Sequence, residues 1–132
     1  MGIDFGIVRS GIAVTDPLQI IVNPLDVVET KNIFEFPENY FTKENVSKIV
    51  IGQAKHPDGT EFQQEKQIEY LIKWLGKTFP DIEIDRQDES FTSVESREII
   101  LKSGFKKKKR QEKALVDKIS AVLILQRYLK HI

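Results

Sequence analysis

The sequence predicts an α/β protein, a mixed sheet with helices on both faces. Three observations predict it. The first thirty residues hold three apolar runs rich in Ile and Val, divided by turn signals. Ile49-Val50-Ile51 is a continuous apolar stretch of the kind a strand buried on both faces requires. From there on, strand patterns alternate with helix patterns, which is the order that builds a layered sheet.

Gly2 to Val8 and Ser10 to Asp16 read as two strands joined by a tight connection around Arg9, and Ile20 to Val28 reads as a third after Asp16-Pro17. Together they form an antiparallel meander. Between Thr30 and Asn45 the aromatic residues Phe34, Phe36, Tyr40 and Phe41 accompany Pro37, which a long helix interior tolerates poorly, so a short or broken helix is expected. Lys48 to Gln53 is the buried strand, ended by Gly52, and His56-Pro57-Asp58-Gly59 reads as a loop. Glu61 to Lys77 places Phe62, Ile68, Leu71, Ile72 and Leu75 near a 3.6-residue period, an amphipathic helix that Pro80 closes. Ile82 to Asp85 is a short strand. Thr92-Ser93-Val94-Glu95 has the form of a capping box opening a helix to Lys102, with Gly104 as its stop. From about Gln111 to Leu129 the chain reads as one long helix, with Ala114, Leu115, Ile119, Val122, Leu125 and Leu129 periodic.

With 40% hydrophobic and 30% charged side chains over 132 residues, the expectation is one domain spanning residues 1–132. Twenty basic and twenty acidic residues cancel, so any contact with a polyanion must come from a local patch rather than from the field of the whole molecule. The absence of cysteine excludes disulfides and thiolate metal sites, and leaves oxygen or imidazole donors. His56 and His131 are too few for a histidine cluster. No apolar run approaches the roughly 20 residues that span a bilayer, and the first residues lack the order of a signal peptide, so no membrane partner and a cytoplasmic location are expected.

Three acidic positions stand out. Asp4 lies inside the apolar strand Gly2-Ile3-Asp4-Phe5-Gly6, where an isolated carboxylate is expensive to bury and flanking glycines let a ligand or another backbone approach. Asp117 shares a helical stripe with Ala114, Ala121, Ile124 and Tyr128, which otherwise packs; the alternative is an Asp at the stripe's edge paired with Lys113 or Lys118. Asp88 and Glu89 follow a short strand and precede a capped helix, a place where acids also occur for helix-dipole reasons alone. One α/β sheet could bring all three positions together, and their mutual repulsion would then demand a cation. Carboxylate ligands without cysteine suit Mg2+ or Mn2+, and two such ions about 4 Å apart can stabilise both the attacking and the leaving oxygen of a phosphodiester displacement.

The basic segment Lys106, Lys107, Lys108, Lys109 and Arg110 either is simply solvated or supplies phosphate contacts beside such a site, and Arg9 in the first hairpin could hold a phosphate as well.

The residues now form a recognisable set. Gly2-Ile3-Asp4-Phe5-Gly6 with Arg9 and Gly11-Ile12-Ala13-Val14-Thr15-Asp16-Pro17 resembles the opening motif of the YqgF (RuvX) family of ribonuclease H-like nucleases. Ile49-Val50-Ile51-Gly52 with Asp58-Gly59 resembles its glycine-ended central strand and loop. Asp88-Glu89-Ser90-Phe91-Thr92-Ser93 resembles its Asp-Glu-Arg-Leu-Thr-Thr motif, and Asp117-Lys118-Ile119-Ser120-Ala121 with Leu123-Ile124-Leu125-Gln126 resembles its closing helix. Four motifs in order cover nearly the whole chain. Departures are Ser90 in place of Arg, Val8 in place of Lys, and Gln53-Ala54-Lys55 in place of Leu-Pro. Only Met1 to Ile3 precede Asp4, which implies either a short first strand or a start site further upstream.

The resemblance implies a ribonuclease H-like fold, a five-stranded sheet joining the antiparallel meander to two parallel strands, with helices around it. It implies a metal-dependent endonuclease in which Asp4, Asp88, Glu89 and Asp117 are the catalytic acids and hold Mg2+ or Mn2+. Members are described as Holliday junction resolvases and as nucleases that trim the 5′ end of precursor 16S ribosomal RNA, so the expected partner is structured RNA or branched DNA. A two-fold-symmetric junction would imply a homodimer. Two rivals are a nucleic-acid-binding protein of the same fold without activity, and a nucleotide-binding kinase or ATPase, whose first phosphate loop Asp4-x-Gly6 also resembles. The latter class needs a second lobe that 132 residues do not provide.

Overall fold

The structure is a computed structural model that describes residues 1–53, 63–88 and 113–131. It contains five strands, β1 (Gly2–Asp4), β2 (Arg9–Thr15), β3 (Val22–Glu29), β4 (Lys48–Gln53) and β5 (Glu83–Asp88). A 3-10 turn (Thr30–Asn32) and three helices, α1 (Glu35–Tyr40), α2 (Glu65–Thr78) and α3 (Lys113–Tyr128), accompany them. The expected loop at His56–Gly59, the expected helix from Thr92 to Lys102, Glu89 and the basic segment Lys106–Arg110 lie outside the described residues.

The sheet order is β3-β2-β1-β4-β5. β1 pairs antiparallel with β2 and β2 with β3, while β4 runs parallel to both β1 and β5. The expected mixed five-stranded sheet is therefore present. β3 is an edge strand, which is where Pro24, lacking a backbone donor, can be accommodated beside the register shift between Ile12 and Ala13.

Side-chain alternation divides the sheet into two faces. Ile3, Ile12, Ile49 and Ile51 pack with Ile68, Leu71 and Leu75 of α2 in one core, and each fully buried isoleucine or leucine contributes about 1.5–3 kcal/mol. Ala13 and Val50 pack on the other face with Ala121, Ile124 and Leu125 of α3. Helices thus cover both faces, as the alternation of patterns requires.

Several boundaries move. β1 stops at Asp4, and residues 5 to 8 form the turn rather than a continuing strand. β5 extends through Asp88, so Asp88 ends a strand instead of following one. On α3 the stripe packed on the sheet is Ala121, Ile124 and Leu125; of the expected stripe Leu125 is buried, Val122 is half-buried and packs at its margin, and Ile119 is half-buried. The packed stripe is the one that contains Asp117. Among the described residues no helix is long and apolar enough to cross a membrane.

At the end of the sheet away from Asp4, Tyr128 ties α3 to two strands. Its hydroxyl donates to Asp85 Oδ2 at 2.7 Å and accepts from Lys48 Nζ at 2.9 Å, and Lys48 also meets Glu83 at 3.2 Å. The Tyr128 hydrogen bond, then the Arg86 backbone N–H, hold the Asp85 carboxyl below the usual carboxylate range. A depressed folded-state value means that this contribution is present above the unfolded carboxylate value of about 4 and is lost as pH falls through the folded one. Tyr128→Phe should therefore lower the urea midpoint between about pH 5 and 8 and lose that difference below about pH 4. A difference that does not shrink in acid would show that the cluster contributes only packing.

Candidate active site

Asp4 ends β1 directly opposite Gly11 of β2 in the antiparallel register. Opposed residues in such a pair are about 5 Å apart and point to the same side. Alternation from Gly2, over which Leu125 of α3 lies, puts Asp4 on the α3 face. Gly11 is what lets the helix come down there. A Cβ at Gly11 would collide with the backbone carbonyl of Asp117, so the absence of a side chain seats the Asp117 turn of α3 on β2. Asp4 and Asp117, remote in sequence, are thereby brought to one spot at the C-terminal end of β1. Both are half-buried.

That seating predicts the effect of the smallest possible intrusion. Gly11→Ala should lower stability by about 1–3 kcal/mol, as overpacking does, and should lower cleavage activity further by displacing Asp117. Chemical denaturation and a cleavage assay on the same preparation check it. Full activity in a destabilised protein would separate Asp117 from catalysis.

Arg9 opens β2 and meets Asp117, its Nε 3.6 Å from Oδ2. An arginine of β2 is thus one partner of this helix carboxylate. Arg9 Nε is buried and has no hydrogen-bond partner among the described residues, so the pair is electrostatic without a satisfied hydrogen bond. The turn that carries Arg9 is pinned from below. Thr30 Oγ1 donates to the Gly6 carbonyl at 2.6 Å, meets buried Ser10 Oγ at 2.8 Å, and the Thr30 N–H donates to the Val8 carbonyl at 2.9 Å. A Cβ at Gly6 would run into the Arg9 carbonyl, which makes that glycine a requirement of the tight turn.

Asp88 is exposed at the end of β5, paired in register with Gln53. It has the alternation parity of Ile51 and Arg86, the α2 side, so it is not brought to the face that Asp4 and Asp117 share. Glu89 and the Lys106–Arg110 segment lie outside the described residues. Among the described residues, no group of three or more acidic or histidine side chains comes together.

Two contacts are not signalled by the sequence alone. Ser10 and Thr30 are hydroxyl residues in strand-like and turn-like surroundings, where nothing local announces their pairing. Arg86 and Glu65 form a further contact behind the site. Arg86 Nη1 and Nη2 both meet the Glu65 carboxylate, the second at 3.2 Å, while Nε donates to the Ile51 carbonyl at 3.2 Å and Nη2 to the Gly52 carbonyl at 2.9 Å. A signal for Glu65 existed: it sits three residues before Ile68 on the packed stripe of α2, an acidic residue where an apolar one is expected.

Residues 1–131 match the family described as RuvX, Holliday junction resolvase. The chain is 45% identical over 130 residues to a Bacteroides fragilis protein named "Putative pre-16S rRNA nuclease", covering 98% of this chain and 94% of that protein. It is 42% identical over 129 residues to a protein of the same name from Christiangramia forsetii, covering 98% and 96%. The chain belongs to the RuvX family. Its mixed sheet with flanking helices is the ribonuclease H-like architecture of that family. In this RuvX chain the acid pair that the structure juxtaposes, Asp4 and Asp117, comes from the opening and closing motifs.

Carboxylate oxygens are the donors a hard divalent cation takes, and two like charges held on one face are stabilised by one. Asp4 and Asp117 fit such a group.

Proposed function

We propose that this chain is a divalent-metal-dependent nuclease that hydrolyses phosphodiester bonds in 5′-end processing of precursor 16S ribosomal RNA. The observation that supports it most is the meeting of Asp4 and Asp117 across Gly11 at the C-terminal end of β1, in a member of a nuclease family. The name its relatives carry suggests the substrate. Asp4, Asp117 and one acid of the Asp88/Glu89 pair would hold Mg2+ or Mn2+. Asp88 has the parity of the opposite face, so Glu89 is the member we assign to the metal. Such an ion supplies counter-charge to the reacting phosphate and lowers the pKa of water towards neutrality. Arg9, beside Asp117, and Lys106 to Arg110 position the phosphates, contacts that carry no base readout. The work would take place in the cytoplasm.

The family description also supports a second reading, cleavage of four-way DNA junctions, which would call for a homodimer. The test offers precursor 16S RNA and a four-way junction side by side, with Mg2+, Mn2+ or EDTA. RNA trimming with either metal and none in EDTA is the expected result. Preferential junction cutting favours the second reading, and no cleavage of either substrate refutes both. In the same assay Glu89→Gln should cost at least about tenfold, as loss of a metal contact does, and Asp88→Asn clearly less. Equal losses would show that the parity argument fails.

A further inference from the structure

On the α2 side of the sheet, at the same end of β1 as Asp4, lies a cavity of about 510 Å³. Phe5, Ile7 and Phe34 form its apolar wall, Tyr70 its outer edge, and Lys31 and Lys66 line it as well. None of the described lining residues is acidic. Tyr70 is 66% exposed, and Ile7, three residues after Asp4, is 62% exposed, large side chains left in solvent. The Tyr70 ring is held by an edge contact with Phe34 at 5.7 Å, and Phe34 by another with Trp74 at 5.0 Å. That chain of rings braces an aromatic platform against α2. Lys31 pairs with Glu29 at 3.1 Å, but both are exposed, and such a pair yields readily to a phosphate.

An apolar slot, an exposed aromatic ring and two ammonium groups together match one chemistry: a flat base flanked by phosphates. Phe5 follows Asp4 directly, so the slot lies at the end of β1 where Asp4 stands. We propose that this cavity takes an unpaired nucleobase of the substrate strand, stacked on Tyr70, with Lys31 and Lys66 on the adjacent phosphates. This deepens the nuclease reading and rests on it. It gives the enzyme a preference for substrates with a single-stranded segment beside the cleaved bond, which backbone contacts alone cannot supply.

The test uses the full chain in EDTA, so that binding is measured without turnover, and follows fluorescence anisotropy with a short single-stranded oligoribonucleotide and with a blunt RNA duplex. Tyr70→Ala should weaken single-strand binding about tenfold, whereas Tyr70→Phe, which keeps the ring, should bind as wild type does. Lys66→Glu should weaken it too and reduce its dependence on salt. Duplex binding should change less than about twofold in Tyr70→Ala, because a paired base has no free face to offer. Tyr70 and Lys66 are exposed, and a thermal melt verifies that the variants fold. Single-strand affinity unchanged in Tyr70→Ala and Lys66→Glu overturns the proposal, as does a wild type that binds no single strand. A wild-type dimer that Tyr70→Ala dissociates, with RNA affinity unchanged, assigns the cavity to a second copy and overturns it equally. If the variants are unaffected while the wild type still cleaves with metal, the cavity assignment falls and the nuclease reading stands. If Tyr70-dependent binding is found without cleavage in any metal, the reverse holds.

Discussion

Asp4→Asn is expected to reduce metal-dependent cleavage by at least about a hundredfold, since even the partners that merely orient a metal ligand cost ten- to a hundredfold when removed. The EDTA-treated protein should still unfold cooperatively near the wild-type temperature. The two halves of that result follow from one geometry. Asp4 and Asp117 approach on one face across Gly11, and an amide of the same volume keeps the packing while removing one of the two like charges. Metal titration followed by cleavage, beside thermal melts in EDTA, measures both. Retained cleavage would remove Asp4 from the site. Loss of activity joined to a collapse in stability would assign Asp4 a structural role instead.

The second large effect concerns stability. Glu65→Ala should cost about 3 kcal/mol or more, because it leaves Arg86 as an uncompensated charge, and removing one partner of a buried pair is the costly way to break it. The Glu65 side chain is 5% exposed and that of Arg86 22% exposed, so solvent offers little replacement. For a chain of this size the melting temperature should fall by roughly 10 °C. Arg86 also donates to the carbonyls of Ile51 and Gly52, so the loss should loosen the C-terminal end of β4 against α2. The double variant Glu65→Leu with Arg86→Leu should recover most of the stability, as apolar replacements of buried ion pairs do. If the single and double variants melt alike, the pair is not what holds these elements together.

The strands and helices were largely legible from the residues. β4 was placed over Lys48–Gln53 by its continuous apolar run, and the order of all described elements followed from hydrophobic period and turn residues. Errors fell at ends, where β1 yields to a turn at Phe5 and β5 runs on through Asp88. Backbone pairing with a neighbour decides where a strand stops, and no local pattern encodes the neighbour. On α3 the packed stripe shares Leu125 with the expected one and Val122 packs at its margin, while Ala121 and Ile124 complete it, because the sheet meets only one side of the helix.

The acids followed the same division. Asp4 and Asp117 were conspicuous in the sequence because each interrupts an apolar pattern, and a carboxylate there needs a physical reason. Their meeting depends on Gly11, whose missing Cβ admits the α3 backbone, and on the register that sets Gly11 opposite Asp4. The Arg9–Asp117 pair, the Ser10–Thr30–Gly6 brace and the Arg86–Glu65 contact likewise join residues 20 to 108 positions apart. The sequence by itself determined the element types, the sheet class and which side chains were out of place. Only the tertiary structure decided which of them share a face, because strand alternation and helix seating are properties of paired backbones rather than of any one segment.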